Sequence, residues 1–427
     1  MQILRVLIIF FMSFNVAQSI GFKELNSGGL NFWFVEDNSI PIISLSFTFE
    51  GGSSLDPVGK EGLINLMTSL MDEGTSKFDS KEIKQLMKSN GIKLNLKTSK
   101  NRVDGTFQVI SSQRDQGFKL LAEILEKPSF KIAEIKKVKD QLNSSIKIDK
   151  SNISTIANQK FDEFFFKNHR FSRNIKGTID SLEKISREDL KKFHKKIFNT
   201  NSLHIGVAGD ISEKEIKKYI GIVFGNLPLS KPTNFEKFTN LPIGKKIVNI
   251  ETPQSSVVFG HPGISRNHKD YFSFRIANYV LGGGGFQSRL YKEIREKRGL
   301  VYSIYSYPMS YKHDGVMIGG FQTQNDTVNK TIAGIKKEWS KITKRGISEK
   351  ELDEAKAYYK GSFTRNFTST LSIASLLNTI QFYNLGNDYF DRRGEIIDKL
   401  NLKKVNKMID EQFDSEKLFF LVVGKPK

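Results

Sequence analysis

The sequence of 427 residues contains no cysteine. That excludes a disulfide framework, a lipid-modified cysteine behind a leader, and thiolate chemistry of any kind. Histidine is scarce: six residues, His169, His194, His204, His261, His268 and His313, and no two of them form an H-x-x-E-H or H-E-x-x-H pair. No G-x-S-x-G elbow is present, and the run of four glycines at 282–285 is followed by no Gly-Lys-Ser/Thr, so neither a serine hydrolase nor a phosphate loop is indicated. Beyond the first residues no apolar stretch approaches the length of a membrane span.

What is present is a long, basic chain. Its 38% hydrophobic residues suffice for a packed interior, and 427 residues are too many for one core, which implies at least two domains. The net charge of +20 invites a nucleic-acid reading, yet the lysines are interleaved with acids, as in "REDLKKFHKKIF" and "SEKEIKKY". Such interleaving marks solvated helix faces rather than a nucleic-acid stripe, and leaves attraction to acidic peptides or anionic surfaces open. The start "MQILRVLIIFFMSFNVAQS" has one early arginine, a short apolar run and small residues at Ala17 and Ser19. It reads as a signal peptide, residues 1–19, cleaved near Ser19, and the expected location is an exported, periplasm-like space; an uncleaved anchor is the second reading.

The proline-rich stretch "LPLSKPTNFEKFTNLPIGKK" punctuates the chain near its middle and predicts a linker over 229–245 between domains at 20–228 and 246–427. The second half repeats the first in weaker form. "ISLSFTFEGG" (43–52) has a counterpart in "SSVVFGHPG" (255–263), and Leu203 and Leu418, like Gly209 and Gly424, stand 215 residues apart. Strand-like runs mixed with amphipathic helices in both copies predict an α+β class, two homologous domains of mainly antiparallel sheet with helices packed on it.

Two stretches carry the chemistry. The first, "EGLINLMTSLMDEGT" (61–75), predicts a helix that buries Leu63, Leu66, Met67, Leu70 and Met71 and gathers Asn65, Thr68 and Ser69 on another face. The second, "YVLGGGGFQSRLYKEIREKRGLVYSIYSY" (279–307), places glycines for close backbone approach or a sharp turn ahead of a basic helix, Ser288 to about Lys297. Taken alone, Arg295 there is a solvated charge.

These pieces, in order with "FEGGSSLD", "HRFSRNIKGTIDSLEKISREDLKKF" and "LHIGVAGDI", resemble the M16 family of zinc peptidases over nearly the whole mature chain. The resemblance implies the duplicated α+β fold. It also implies that the inverted zinc motif H-x-x-E-H falls on Asn65, Thr68 and Ser69, where an amide and two hydroxyls replace two imidazoles and a general base. A third ligand, a Glu, would be expected near 141–146, which here reads "QLNSSI". No zinc is therefore expected in this chain.

A second family site is intact. Catalytic members use an Arg and a Tyr seven residues apart to hold substrate and stabilise the carbonyl under attack, and Arg295 and Tyr302 of "REKRGLVY" match them. Some bacterial members divide the zinc motif and the Arg/Tyr pair between two chains. The resemblance thus implies a non-catalytic, substrate-binding subunit whose partner is a zinc-bearing M16 chain with H-x-x-E-H. Its substrate would be an extended peptide or unfolded segment. The alternative is a stand-alone peptide-binding or assembly protein of the same fold, which the absence of a neighbouring zinc-bearing gene would favour.

Overall fold

The computed structural model describes residues 21–230 and 235–427. The expected leader and part of the expected linker lie outside them. Two sheets organise the chain. The first runs in the order β1-β2-β6-β3-β5-β4, with β1 Lys23–Ser27, β2 Leu30–Glu36, β3 Ile42–Glu50, β4 Lys93–Thr98, β5 Arg102–Ile110 and β6 Leu203–Gly209. The second runs β7-β11-β8-β10-β9, with β7 Gly244–Asn249, β8 Gln254–Pro262, β9 Ile304–Ser310, β10 Gly315–Gln324 and β11 Phe419–Gly424. Each has one parallel pair, β2 with β6 and β7 with β11, and is otherwise antiparallel. Strand for strand, β2-β6-β3-β5-β4 superposes in topology on β7-β11-β8-β10-β9, so the α+β duplication expected from the sequence is present, with β1 added to the first copy.

The paired glycines have a physical reason. Gly209 and Gly424 end β6 and β11 with φ of +140° and +149°, and a Cβ on either would lie 2.2 Å from Ile42 O or Ser255 Oγ. Only glycine satisfies that backbone and that contact.

Each sheet is covered on one face by helices of its own half and on the other by a helix from the opposite half. The helix Ile153–Phe165 lays Ala157, Phe161 and Phe165 against Val258, Phe419 and Leu421 of the second sheet. Reciprocally, the helix Thr370–Phe382 lays Ile373, Ala374 and Leu377 against Val35 and Ala208 of the first. The central strands β3 and β8 are consequently buried on both faces rather than alternating. In β3 the side chains turned to the crossing helix are small and polar: Ser44 shares a 2.8 Å hydrogen bond with Thr370, and Asn378 Nδ2 donates to Ser46 Oγ and Thr48 Oγ1, each at 3.0 Å. Close approach is required here, because a Cβ on Gly206 would stand 2.1 Å from Ala374 O.

Candidate functional site

The motif helix is shorter than its sequence pattern suggests, Leu63–Ser69, although Leu70 and Met71 beyond it are buried as expected. Asp56 caps it. Its carboxylate accepts from Gly62 N at 2.8 Å and Ile64 N at 2.9 Å, meeting donors that the first turn leaves open. Burial pushes the Asp56 carboxyl up to about 7, outweighing the pull of those two N–H groups in the other direction. The residue before the helix, Gly62, has φ +92°, and a Cβ on it would meet Lys176 O at 2.4 Å; opposite, a Cβ on Gly177 would meet Glu61 O at 2.0 Å. Two glycines therefore press the 176–177 segment against the start of the motif helix.

Asn65, Thr68 and Ser69 line one cleft of about 540 Å³, as the helical spacing predicts. Asn65 is half-buried and Ser69 exposed, whereas Thr68 is buried and accepts a 2.8 Å hydrogen bond from Thr98 Oγ1 at the end of β4. The segment 141–146 belongs to the helix Ile132–Asp149. It brings Ser145, with Asp149 one turn further, toward Lys176, whose Nζ donates to Ser145 Oγ at 2.8 Å and Asp149 Oδ2 at 2.7 Å. The second carboxylate of the cleft, Asp162, is ion-paired with Lys100 at 2.8 Å. Burial raises Asp162 while Lys100 draws it back.

The cleft thus offers amides, hydroxyls and two carboxylates already held by lysines. It does not fit zinc, which takes imidazole, thiolate or free carboxylate, and both carboxylates are engaged by lysines rather than free to serve as ligand or base. Among the described residues no group of three or more His, Cys, Asp or Glu side chains is placed to hold a metal ion. Sequence reasoning missed Asp149, Asp162 and Lys176. The signal for Asp149 was its i+4 spacing from Ser145; Lys176 and Asp162 come from loops and helices distant in sequence and left no signal.

Arg295 and Tyr302 lie elsewhere, and neither lines that cleft. The basic helix is present, but its residues Tyr291–Glu296 are wound as a π-type turn, with Lys297 N bonded to Lys292 O at 3.0 Å. Its neighbours are tied down: Arg289 forms a fork with Glu351 at 2.7 Å, and Lys297 is bonded to Glu293. Arg295 has no carboxylate partner among the described residues; its guanidinium sits 5.7 Å from the Tyr291 ring centre. Tyr302 follows Gly299, at φ +60°, and is anchored by buried Val301 and Ile304, while its own side chain is 88% exposed. Close approach of the glycine run is also observed, since a Cβ on Gly282 would fall 2.4 Å from Ser306 Oγ.

Two family models match the chain: "Insulinase (Peptidase family M16)" over residues 34–179 and "Peptidase M16 inactive domain" over 184–359. The chain belongs to the M16 family. A Helicobacter pylori protein named "Non-peptidase homolog YmxG" is 29% identical over 417 residues, covering 96% of this chain and 95% of its own. The "Uncharacterized zinc protease YmxG" of Bacillus subtilis is 26% identical over 371 residues, 84% of this chain and 88% of its own. The crystal structure of an M16 inactive domain from Pseudomonas fluorescens matches with a TM-score of 0.90 at 25% identity, covering 95% of this chain and 98% of that one. In this M16 chain Asn65, Thr68 and Ser69 share a cleft that carries no zinc-ligand set, and the side chains of Arg295 and Tyr302 have no hydrogen-bonded or ionic partner among the described residues.

Proposed function

We propose that this chain is the non-catalytic, substrate-binding subunit of an exported heterodimeric M16 zinc peptidase. Arg295 and Tyr302 act at the zinc site of a partner chain. One observation carries the reading: Lys176 and Asp149 are ion-paired at the wall of the chain's own cleft, while the side chains of Arg295 and Tyr302 have no hydrogen-bonded or ionic partner among the described residues. A guanidinium fork and a phenolic hydroxyl are preorganised donors, suited to holding a peptide carbonyl and to meeting the charge that develops on its oxygen when water attacks. The substrate is an extended peptide. It lies along an open sheet edge, and β4 and β9 are edge strands, the first of them bordering the motif cleft through Leu96 and Thr98.

The test is co-expression with a zinc-bearing M16 chain from the same genome, followed by peptidase assays on each chain, on the pair, and on pairs carrying Arg295→Ala or Tyr302→Phe. Hydrolysis is expected only from the pair, and each variant is expected to reduce kcat/KM by roughly 100-fold or more. Unchanged turnover in both variants would remove the assigned roles. The second reading, a peptide-binding protein with no part in proteolysis, is favoured by the non-peptidase name of the Helicobacter pylori relative. It predicts that no zinc-bearing partner co-purifies.

A further inference from the structure

Between the two halves, adjoining the motif cleft at Ile175, lies a cavity of about 640 Å³ lined by residues of both. Its first-half wall includes Lys100 and Arg102, each neutralised, by Asp162 at 2.8 Å and by Asp104 at 2.9 Å. Its second-half wall brings together Arg266, Arg275 and Arg393. None of these three has a carboxylate within 4.0 Å among the described residues.

Their surroundings are aromatic. Arg266 lies 4.0 Å from the Tyr271 ring centre and donates from Nη2 to Tyr389 OH at 2.8 Å. Arg275 lies 4.5 Å from the Tyr359 ring centre, and its Nε is buried without a hydrogen-bond acceptor. Arg393 is 6% exposed, stands 4.1 Å from the Phe363 ring centre and donates from Nη2 to Tyr359 O at 2.7 Å. Burial, together with repulsion from Arg275 and Arg266, pushes the Arg393 guanidinium below its ordinary range. Ring faces offset part of the cost of burying a cation, but each guanidinium has five N–H donors, and most of those here have no protein acceptor.

We propose that this cavity binds a small organic anion carrying two or more phosphate or carboxylate groups, gripped by Arg266, Arg275 and Arg393. Guanidinium forks match the oxygens of either group, and three converging cations suit more than one. The rings of Tyr271, Tyr359 and Phe363 supply flat apolar walls for the body of the molecule, and the volume is that of a small-molecule pocket. The site is independent of the peptidase reading, since it uses neither Arg295 nor Tyr302.

Calorimetric titration of the full mature chain with pyrophosphate and, separately, citrate, at constant ionic strength, is the test. One-to-one saturable binding of either anion is expected, with affinity reduced at least tenfold in Arg275→Met and in Arg393→Met. Preference for pyrophosphate assigns the ligand to the phosphate class, and preference for citrate to the carboxylate class. A second readout separates binding from folding: with no anion present, both variants should melt at or above the wild-type temperature, because each removes an unpaired buried charge. No saturable heat with either anion, a response reproduced by chloride, affinities within twofold of wild type in both variants, or lower melting temperatures of the anion-free variants would each overturn the assignment.

Discussion

His194 and His261 are two residues through which mild acid lowers stability. Burial holds both imidazoles at about 4, although His194 Nε2 is bonded to Leu125 O at 2.8 Å and His261 Nε2 lies 3.0 Å from Asp414 O. Above the ordinary imidazole value of 6.5 both are neutral whether folded or unfolded, and their contribution to stability is complete. As pH falls from there toward 4 the unfolded chain takes up protons that the folded chain refuses. Each histidine therefore removes up to about 1.4 kcal/mol per pH unit across that window. Urea unfolding of wild type and His194→Gln across it should give profiles that diverge by one histidine's share; parallel profiles would contradict the assignment. At this scale the candidate site was partly legible. The place of Asn65, Thr68 and Ser69 on one face follows from helical spacing, and so does their sharing of a cleft. That Lys176 would reach the cleft wall and hold Asp149 could not be read, because it is delivered by the close contacts of Gly62 with Lys176 and of Gly177 with Glu61, a tertiary fit with no local pattern.

At the scale of elements, the two crossing helices join the halves. Phe165 is fully buried, its ring 4.7 Å from that of Phe161 and 6.0 Å from that of Phe419 in the opposite half. Phe165→Ala should cost about 3–5 kcal/mol of unfolding free energy, and the loss should appear in the second half as well as the first. Hydrogen exchange at β8 and β11 would read it; faster exchange confined to residues 153–165 would contradict the reciprocal packing. Strands β3 and β8 were legible as the repeated runs 43–52 and 255–263, and the helix within 61–75 from its apolar spacing. The partner of a buried face was not, since an apolar stripe such as Ala157, Phe161 and Phe165 records that it is covered and not by what. The π-type turns at Tyr279–Gly283 and Tyr291–Glu296 were not legible, because one widened turn leaves the i, i+3, i+4 pattern almost intact.

At the scale of the whole molecule, the exchange of helices makes the two copies interdependent. Cut between residues 230 and 235, the chain would leave the helix Ile153–Phe165 with an exposed aromatic face in one fragment and its acceptor sheet bare in the other. Separately expressed fragments are expected to aggregate or to bind a hydrophobic dye, and co-expressed fragments to elute together at the size of the intact chain. Two soluble fragments that each melt cooperatively would show that the halves stand alone. The duplication itself was legible from repeats such as Gly209 and Gly424, whose shared backbone demand outlasted the divergence around them. The central claim is that the cleft shared by Asn65, Thr68 and Ser69 does not bind a metal ion, its two carboxylates being engaged by Lys176 and Lys100. Zinc content of the purified chain, measured by plasma mass spectrometry after equilibration with excess zinc and gel filtration, tests it most directly. Well under 0.1 zinc per chain is predicted, as expected for a site without imidazole, thiolate or free carboxylate ligands; a full equivalent that a chelator removes, together with peptide cleavage it abolishes, would contradict it.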